Sequence, residues 1–362
     1  MRRRTVPVVL VSGVQEAAMA GTALSLQLGL DRAVSVRHTI DPERNVLTRV
    51  VSDLGGVIER EEIDLEHACV SCAIREDIVP TLERLAASGR WRHVVACLPV
   101  AAEAAQLCRV ICWAPRSAPH VAIAAVVTAL EADGLSDVLL GEDLLRDRGL
   151  ATSVDDDRGL AEVACAQVEY ADLICLSEPP EAAGADLVRA LARPDVEIVA
   201  DPATLDAADL VGAARRHGVA EAWVAEVPHG DLPPLEGDHA WRMELSSDRP
   251  FHPERFTDEL AELGSGPWRA RGCFWLPTRP RAVCVWDSAG GQASVGSTQS
   301  WPSSADAVTR LLFTGLDGDR SAIVAAFERC LVTDAELADR GRFWDQPWDG
   351  LEPWLGPIGR AA

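Results

Sequence analysis

The chain has 362 residues and no lysine; its 34 basic side chains are all arginine. That absence excludes Schiff-base chemistry on a lysine and the lysine of a phosphate-binding loop. Asparagine is nearly missing too, with Asn45 the single one. Together with an alanine-rich composition, this points to a high-G+C bacterial genome. No apolar run reaches the length of about 18 residues that a membrane-spanning helix needs, and Met1 to Arg4 lead into a strand-like stretch rather than a signal peptide. A cytoplasmic protein is expected. Positive charge is scarce: 56 acidic side chains leave a net charge of -22, which repels nucleic acid and anionic membranes and favours a cation or a basic protein partner. The ten cysteines form no regular framework, as in a reducing compartment, and only one pair is tightly spaced.

Phenylalanine is absent from the first 250 residues, and nine of the eleven tryptophans lie beyond position 222. The first part must build its core from Ala, Val, Leu and Ile, so two differently constructed cores are implied. Between them, Pro228 to Asp238 combines Pro, Gly and acidic residues without apolar periodicity, the signature of a linker. The expected organisation is an N-terminal domain over 1–225, a linker over 226–240, a C-terminal domain over 241–340 and a tail over 341–362. The tail's Trp344, Trp348 and Trp354 either clamp onto the body or dock a partner.

Short apolar runs alternate with helical patterns in the first part. Val6 to Ser12, Ala33 to His38, His93 to Leu98, Val121 to Thr128, Ala171 to Leu176 and Val196 to Val199 read as buried parallel strands. Ile74 to Leu85 and Leu160 to Val168 read as amphipathic helices, and the class is α/β, doubly wound. The second part has strand patterns at Ala270 to Leu276, Arg281 to Trp286 and Ala293 to Gly296, with helices at Pro253 to Leu263 and Ala322 to Leu331. It reads as a smaller α+β unit.

Two segments carry chemistry. Val8 to Gly13 followed by Val14 to Ala20 occupies the place of a strand, phosphate loop and helix, but Ala18, Met19 and Ala20 stand where such a loop has its second glycine, its lysine and its magnesium-binding hydroxyl. By itself it is an ordinary strand, loop and helix. The second segment is His67-Ala68-Cys69-Val70-Ser71-Cys72, at the start of the Ile74 to Leu85 helix. Two thiolates so spaced bind one soft cation, and a helix N-terminus favours the thiolate. Redox exchange and two unrelated buried cysteines are the competing readings. A tetrahedral site would draw its remaining donors from His67, Cys97, Glu66, His38 or water.

Ala68 to Ile78 resembles the G-C-x-C-C-x-x-R-x-D-L segment of the CobW-type metallochaperone GTPases, with Ser71 in place of the middle cysteine. Collinear segments add to the resemblance: Pro7 to Leu26 for the first strand, P-loop and helix; Val126 to Glu131 for the V-V-x-V-D strand; Gln167 to Ile174 for the Q-x-x-x-A-D strand; and Pro250 to Phe256 with Arg269 to Gly272 for the C-terminal domain. The resemblance implies a P-loop NTPase-like, mostly parallel sheet followed by a CobW C-terminal domain.

Its departures shape the expected function. The nucleotide loop is reduced to a remnant, Gly13, Ala18, Met19 and Ala20; the guanine-reading N-K-x-D becomes Ser177-Glu178-Pro179-Pro180; and the E-x-x-G magnesium region becomes Cys97 to Val100. Loss of that charge stabilisation implies a pseudo-GTPase with little or no GTP hydrolysis, neither GTP nor magnesium being expected as cofactor. Arg75 or Arg2 to Arg4 are the arginines that could rescue it. Zinc is the expected metal, with Cys69, Cys72, Cys97 and His67 as its ligands by analogy with the family. The H-x-C-V-S-C segment and Arg269 to Leu276 are similar to the ribosome-hibernation-factor-recruiting subgroup, which implies action in zinc starvation with the ribosome or a hibernation factor as partner. The alternative is a metallochaperone that delivers zinc or cobalt to a client protein and keeps residual GTP binding.

Overall fold

The computed structural model describes residues 5–153, 155–212, 215–235, 237–316, 318–339, 344 and 346–358. Arg2 to Arg4 and part of the tail lie outside them. The apolar runs of the first part become β1 (Val6–Ser12), β2 (Ala33–Asp41), β5 (His93–Cys97), β6 (Val121–Leu130), β7 (Leu173–Leu176) and β8 (Glu197–Val199), all parallel. Two further strands, β3 (Val46–Asp53) and β4 (Gly56–Asp64), form an antiparallel hairpin at one edge. The eight-stranded order is β4-β3-β2-β5-β1-β6-β7-β8, so the chain leaves β1 in one direction and β5 in the other. The crevice between the carboxyl ends of β1 and β5 is therefore the topological switch point, where this class of sheet binds ligands.

Helices cover both faces: α1 (Glu16–Gly29), α2 (Val70–Ala73), α3 (Val79–Ala87), α4 (Ala104–Trp113), α5 (Leu135–Leu140), α6 (Leu160–Tyr170), α7 (Ala182–Leu191), α8 (Ala207–Gly212) and α9 (His217–Trp223). Strand alternation sends Val8, Leu10, Val94, Ala96 and Leu98 into one core with Ala73, Ile78, Leu82 and Leu107, while Val9, Val11, Val95 and Cys97 meet Met19, Ala23 and Leu26 on the other side. The continuous helix expected over Ile74 to Leu85 is interrupted. Residues Ile74–Ile78 form a π turn between α2 and α3, closed by the Val79 amide on the Ile74 carbonyl. Pro80 supplies the reason: it has no N–H for the Glu76 carbonyl and its ring crowds that group, so the widened turn relieves the clash.

The second unit is a five-stranded antiparallel sheet, β12-β11-β10-β13-β9, made of β9 (Trp241–Ser247), β10 (Trp268–Phe274), β11 (Ala282–Ala289), β12 (Gln292–Ser300) and β13 (Thr309–Gly315). α10 (Pro253–Gly264) and α11 (Arg320–Cys330) pack on one face around Phe251, Phe256, Phe274, Trp286 and Phe313, the aromatic core that the composition implied. The short α12 (Asp334–Ala338) and α13 (Glu352–Leu355) follow. Leu351 is buried in the same core, and Asp349 accepts from Thr278 at 2.7 Å and from both ends of the Arg279 guanidinium at 2.9 and 3.0 Å, which ties residues 349–355 to the domain. Cys273 and Cys284 sit on neighbouring strands but point to opposite faces of the sheet.

The opposite sheet face carries Arg269 and Arg271, which meet Glu169 on α6. Arg269 donates to the Glu169 carboxylate at 3.0 and 3.1 Å and to Asp287 at 2.9 Å; Arg271 approaches Glu169 at 3.2 Å. Burial alone would raise the Glu169 carboxyl, but the two guanidinium groups outweigh it and hold it below the usual range.

Candidate metal centre and nucleotide crevice

Cys69 ends an extended segment and caps α2. Its sulfur accepts from the Cys72 amide at 3.4 Å, so one thiol is held over the first turn and the other rides on it. The Cys72 thiol is pushed up chiefly by its hydrogen bond with Cys69, then by burial, as expected for two thiols sharing a proton. Arg75 lies across the pair, 3.8 Å from the Cys72 sulfur, 2.9 Å from Glu76 and 3.8 Å from Glu66. Two soft donors at this spacing fit a zinc ion, while Glu66 and Glu76 are held by Arg75. Among the described residues, however, no three or more His, Cys, Asp and Glu side chains are gathered as a ready metal cage.

Cys97 is not placed to join the thiol pair. Its side chain packs against the α1 side of the sheet, while Ala96 and Leu98, its neighbours in sequence, pack with Val70, Ala73 and Ile74 beneath the Cys69–Cys72 segment. The sheet itself separates the thiols, because adjacent strand residues face opposite ways. Burial also pushes the Cys97 thiol up to about 12. His67 is exposed; its carbonyl accepts from the Cys69 amide at 2.8 Å and shapes the turn.

His38 lies on the face that the α2–α3 segment covers. It is almost wholly buried, and its Nε2 is 2.9 Å from Asp77 in the π turn, which also pairs with Arg49 and Thr81. Burial, partly opposed by Asp77, holds the imidazole below its ordinary value and so neutral near pH 7. The network anchors the π turn to β2 and β3. Its signal in the sequence was the spacing of His38 two and four residues beyond the buried Val36 and Val34.

At the switch point, the Gly13 carbonyl accepts from the Ala101 amide at 2.9 Å and from Gln167 Nε2 at 3.3 Å; Gln167 also donates to the Ala102 carbonyl at 2.9 Å. These bonds draw the loops after β1 and β5 together. Met19 turns inward: a Cβ added to Gly13 would lie 2.8 Å from the Met19 side chain and 2.5 Å from the Ala129 carbonyl. Ala18 is buried and Ala20 exposed. α1 begins at Glu16, so the Met19 amide already donates to Gln15 at 3.1 Å. The exposed Glu16 stands in the first turn, paired to Arg37 at 3.0 Å, and places negative charge where a phosphate would be attracted. Beyond β7, the Ser177 hydroxyl accepts from the Ala132 amide at 3.1 Å and Glu178 is exposed.

The model of the cobalamin synthesis protein cobW C-terminal domain matches residues 241–331. A Mycobacterium tuberculosis protein named zinc chaperone Rv0106 is 31% identical, the match spanning 96% of this chain and 93% of the relative. The chain belongs to the CobW family. A more distant relative of this CobW-family chain, the zinc-regulated GTPase metalloprotein activator 1 of Dictyostelium discoideum, is 20% identical over 82% of the chain and 70% of its own length. Among solved structures, a Zn(II)-bound YjiA GTPase from E. coli is similar over 91% of this chain and all of its own, at 14% identity and a TM-score of 0.31. No helix of the described residues is long and apolar enough to cross a membrane.

Proposed function

We propose that this protein handles zinc as cargo on Cys69 and Cys72 and acts through a protein partner, without turning over GTP. The observation that carries the reading is the thiol pair at the start of α2: Cys69 caps the helix with its sulfur on the Cys72 amide, and among the described residues no further His, Cys, Asp or Glu side chains close a cage around them. A structural zinc site saturates its four positions, whereas an incomplete one leaves positions for a client's ligands. The names of the relatives, a zinc chaperone and a zinc-regulated metalloprotein activator, support zinc over cobalt.

The same reading takes the nucleotide site as degenerate. The chain has no lysine to neutralise phosphate, and Met19 packs beneath Gly13. Glu16, in the first turn of α1, opposes an incoming anion. Within this reading, the partner is a hibernation factor brought to the ribosome during zinc starvation. The resemblance of the H-x-C-V-S-C segment suggested it, and the net charge of -22 suits a basic ribosomal surface.

The test is metal content and GTP binding measured together on protein purified without chelator. Stoichiometric zinc, lost in Cys69→Ser/Cys72→Ser, with no magnesium-dependent GTP binding, is the expected result. Tight GTP binding would restore the working-GTPase alternative. Co-sedimentation with ribosomes from zinc-starved cells separates the adaptor from a chaperone serving another client.

A further inference from the structure

The second domain carries an open cavity of about 870 Å³ between the start of α10, α12 and the tail. Its walls combine two chemistries. His252 and Trp344 stand edge to face, ring centres 5.7 Å apart, and Trp348 follows on the same rim with 71% of its surface exposed. Two indoles, Trp344 and Trp348, thus line one opening, and an aromatic ring that is apolar on its faces and polar at its N–H suits a ligand that brings both kinds of surface. Carboxylates supply the rest. Glu336 already grips Arg255 at 2.8 and 2.9 Å, and Asp349 grips Arg279, both in two-point geometry. Glu254 and Asp339 also line the cavity, and among the described residues neither is in an ion pair. The Nδ1 of His252 is buried and, among the described residues, has no hydrogen-bond partner.

We propose that this cavity binds an arginine side chain presented by an extended segment of a basic partner protein. A guanidinium stacks on the face of a tryptophan and donates two-point hydrogen bonds to a carboxylate, so indole rings beside carboxylates that pair with no cation among the described residues match it on both counts. The cavity's own walls show the second half of that geometry twice, with Arg255 and Arg279. Net charge acts in the same direction: a chain at -22 attracts basic segments and repels phosphate, which excludes nucleic acid as the occupant. The volume exceeds one side chain, leaving room for flanking backbone. This site lies in the second domain, apart from the thiol pair, and needs no metal.

The test is fluorescence anisotropy of a labelled ten-residue peptide of alternating arginine and glycine with the full chain, in the presence of a zinc chelator. Removing zinc separates failure here from failure of the metal reading. Saturable binding is expected, with Trp348→Ala and Glu254→Gln each weakening it about fivefold or more. Glu43→Gln, an exposed carboxylate in the first domain, should change it by less than about twofold, and the lysine counterpart of the peptide should bind more weakly. Equal losses for Glu254→Gln and Glu43→Gln would mean diffuse attraction and overturn the proposal. So would an inert Trp348→Ala, equal affinity for the two peptides, or no saturable binding. Circular dichroism on each variant verifies the fold, and the exposure of Trp348 and Glu254 makes both substitutions tolerable.

Discussion

Replacing Glu169 by alanine strips the domain interface of the carboxylate that two arginines share. Arg269 is 3% exposed and Glu169 4%, so both partners are desolvated in the intact protein. Breaking a buried pair from one side costs about 3–5 kcal/mol. Two features place this case at the lower end: Asp287 still accepts from Arg269 at 2.9 Å, and both arginines border a cavity of about 360 Å³ that water can enter. About 3 kcal/mol is expected, read as a lower denaturant midpoint, together with faster proteolysis between the two sheets, within residues 226–240. Glu169→Gln should lose less, since its amide oxygen still accepts one hydrogen bond. The pH dependence follows from the depressed carboxyl: its contribution is complete above the unfolded value of 4.5 and fades as pH falls through the lower folded value. A loss under about 1 kcal/mol in Glu169→Ala would refute the reasoning, since the desolvation of three charges would then have cancelled their attraction.

Cys97→Ser should leave zinc stoichiometry unchanged, because the sheet lies between that thiol and the pair; metal analysis beside the double-serine variant checks it. A disulfide thiol reagent at neutral pH should react with Cys112, the exposed thiol, and more slowly with Cys69, while Cys97 and Cys165, both raised by burial, stay unmodified until unfolding. Mass-spectrometric mapping of the labels reads the order. Trp286→Ala empties a fully buried position in the second core and should cost about 3–5 kcal/mol, measured by denaturant unfolding of the intact chain.

Some features were legible because they are local. Short continuous apolar runs marked the parallel strands, and the restriction of phenylalanine to the last third announced a second, aromatic core. The edge hairpin was not legible. The run Glu59 to Glu62 in β4 carries no apolar alternation; pairing with β3 and ion pairs such as Arg84–Glu59 at 2.7 Å hold it as a strand. The interruption at the π turn was readable in principle from Pro80, but the apolar face from Ile74 to Leu85 masked it.

The sequence by itself determined what chemistry is available: a closely spaced thiol pair, no lysine anywhere, and an excess of acid. Tertiary structure decided which of those groups can act together. Cys97 looked adjacent to the pair because its strand ends at the same edge, yet strand alternation turns it to the other face. Glu169 and Gln167, two residues apart on α6, reach the C-terminal domain and the Gly13 crevice respectively. Direction and contact at long sequence separation are set by packing, and neither is written in spacing along the chain.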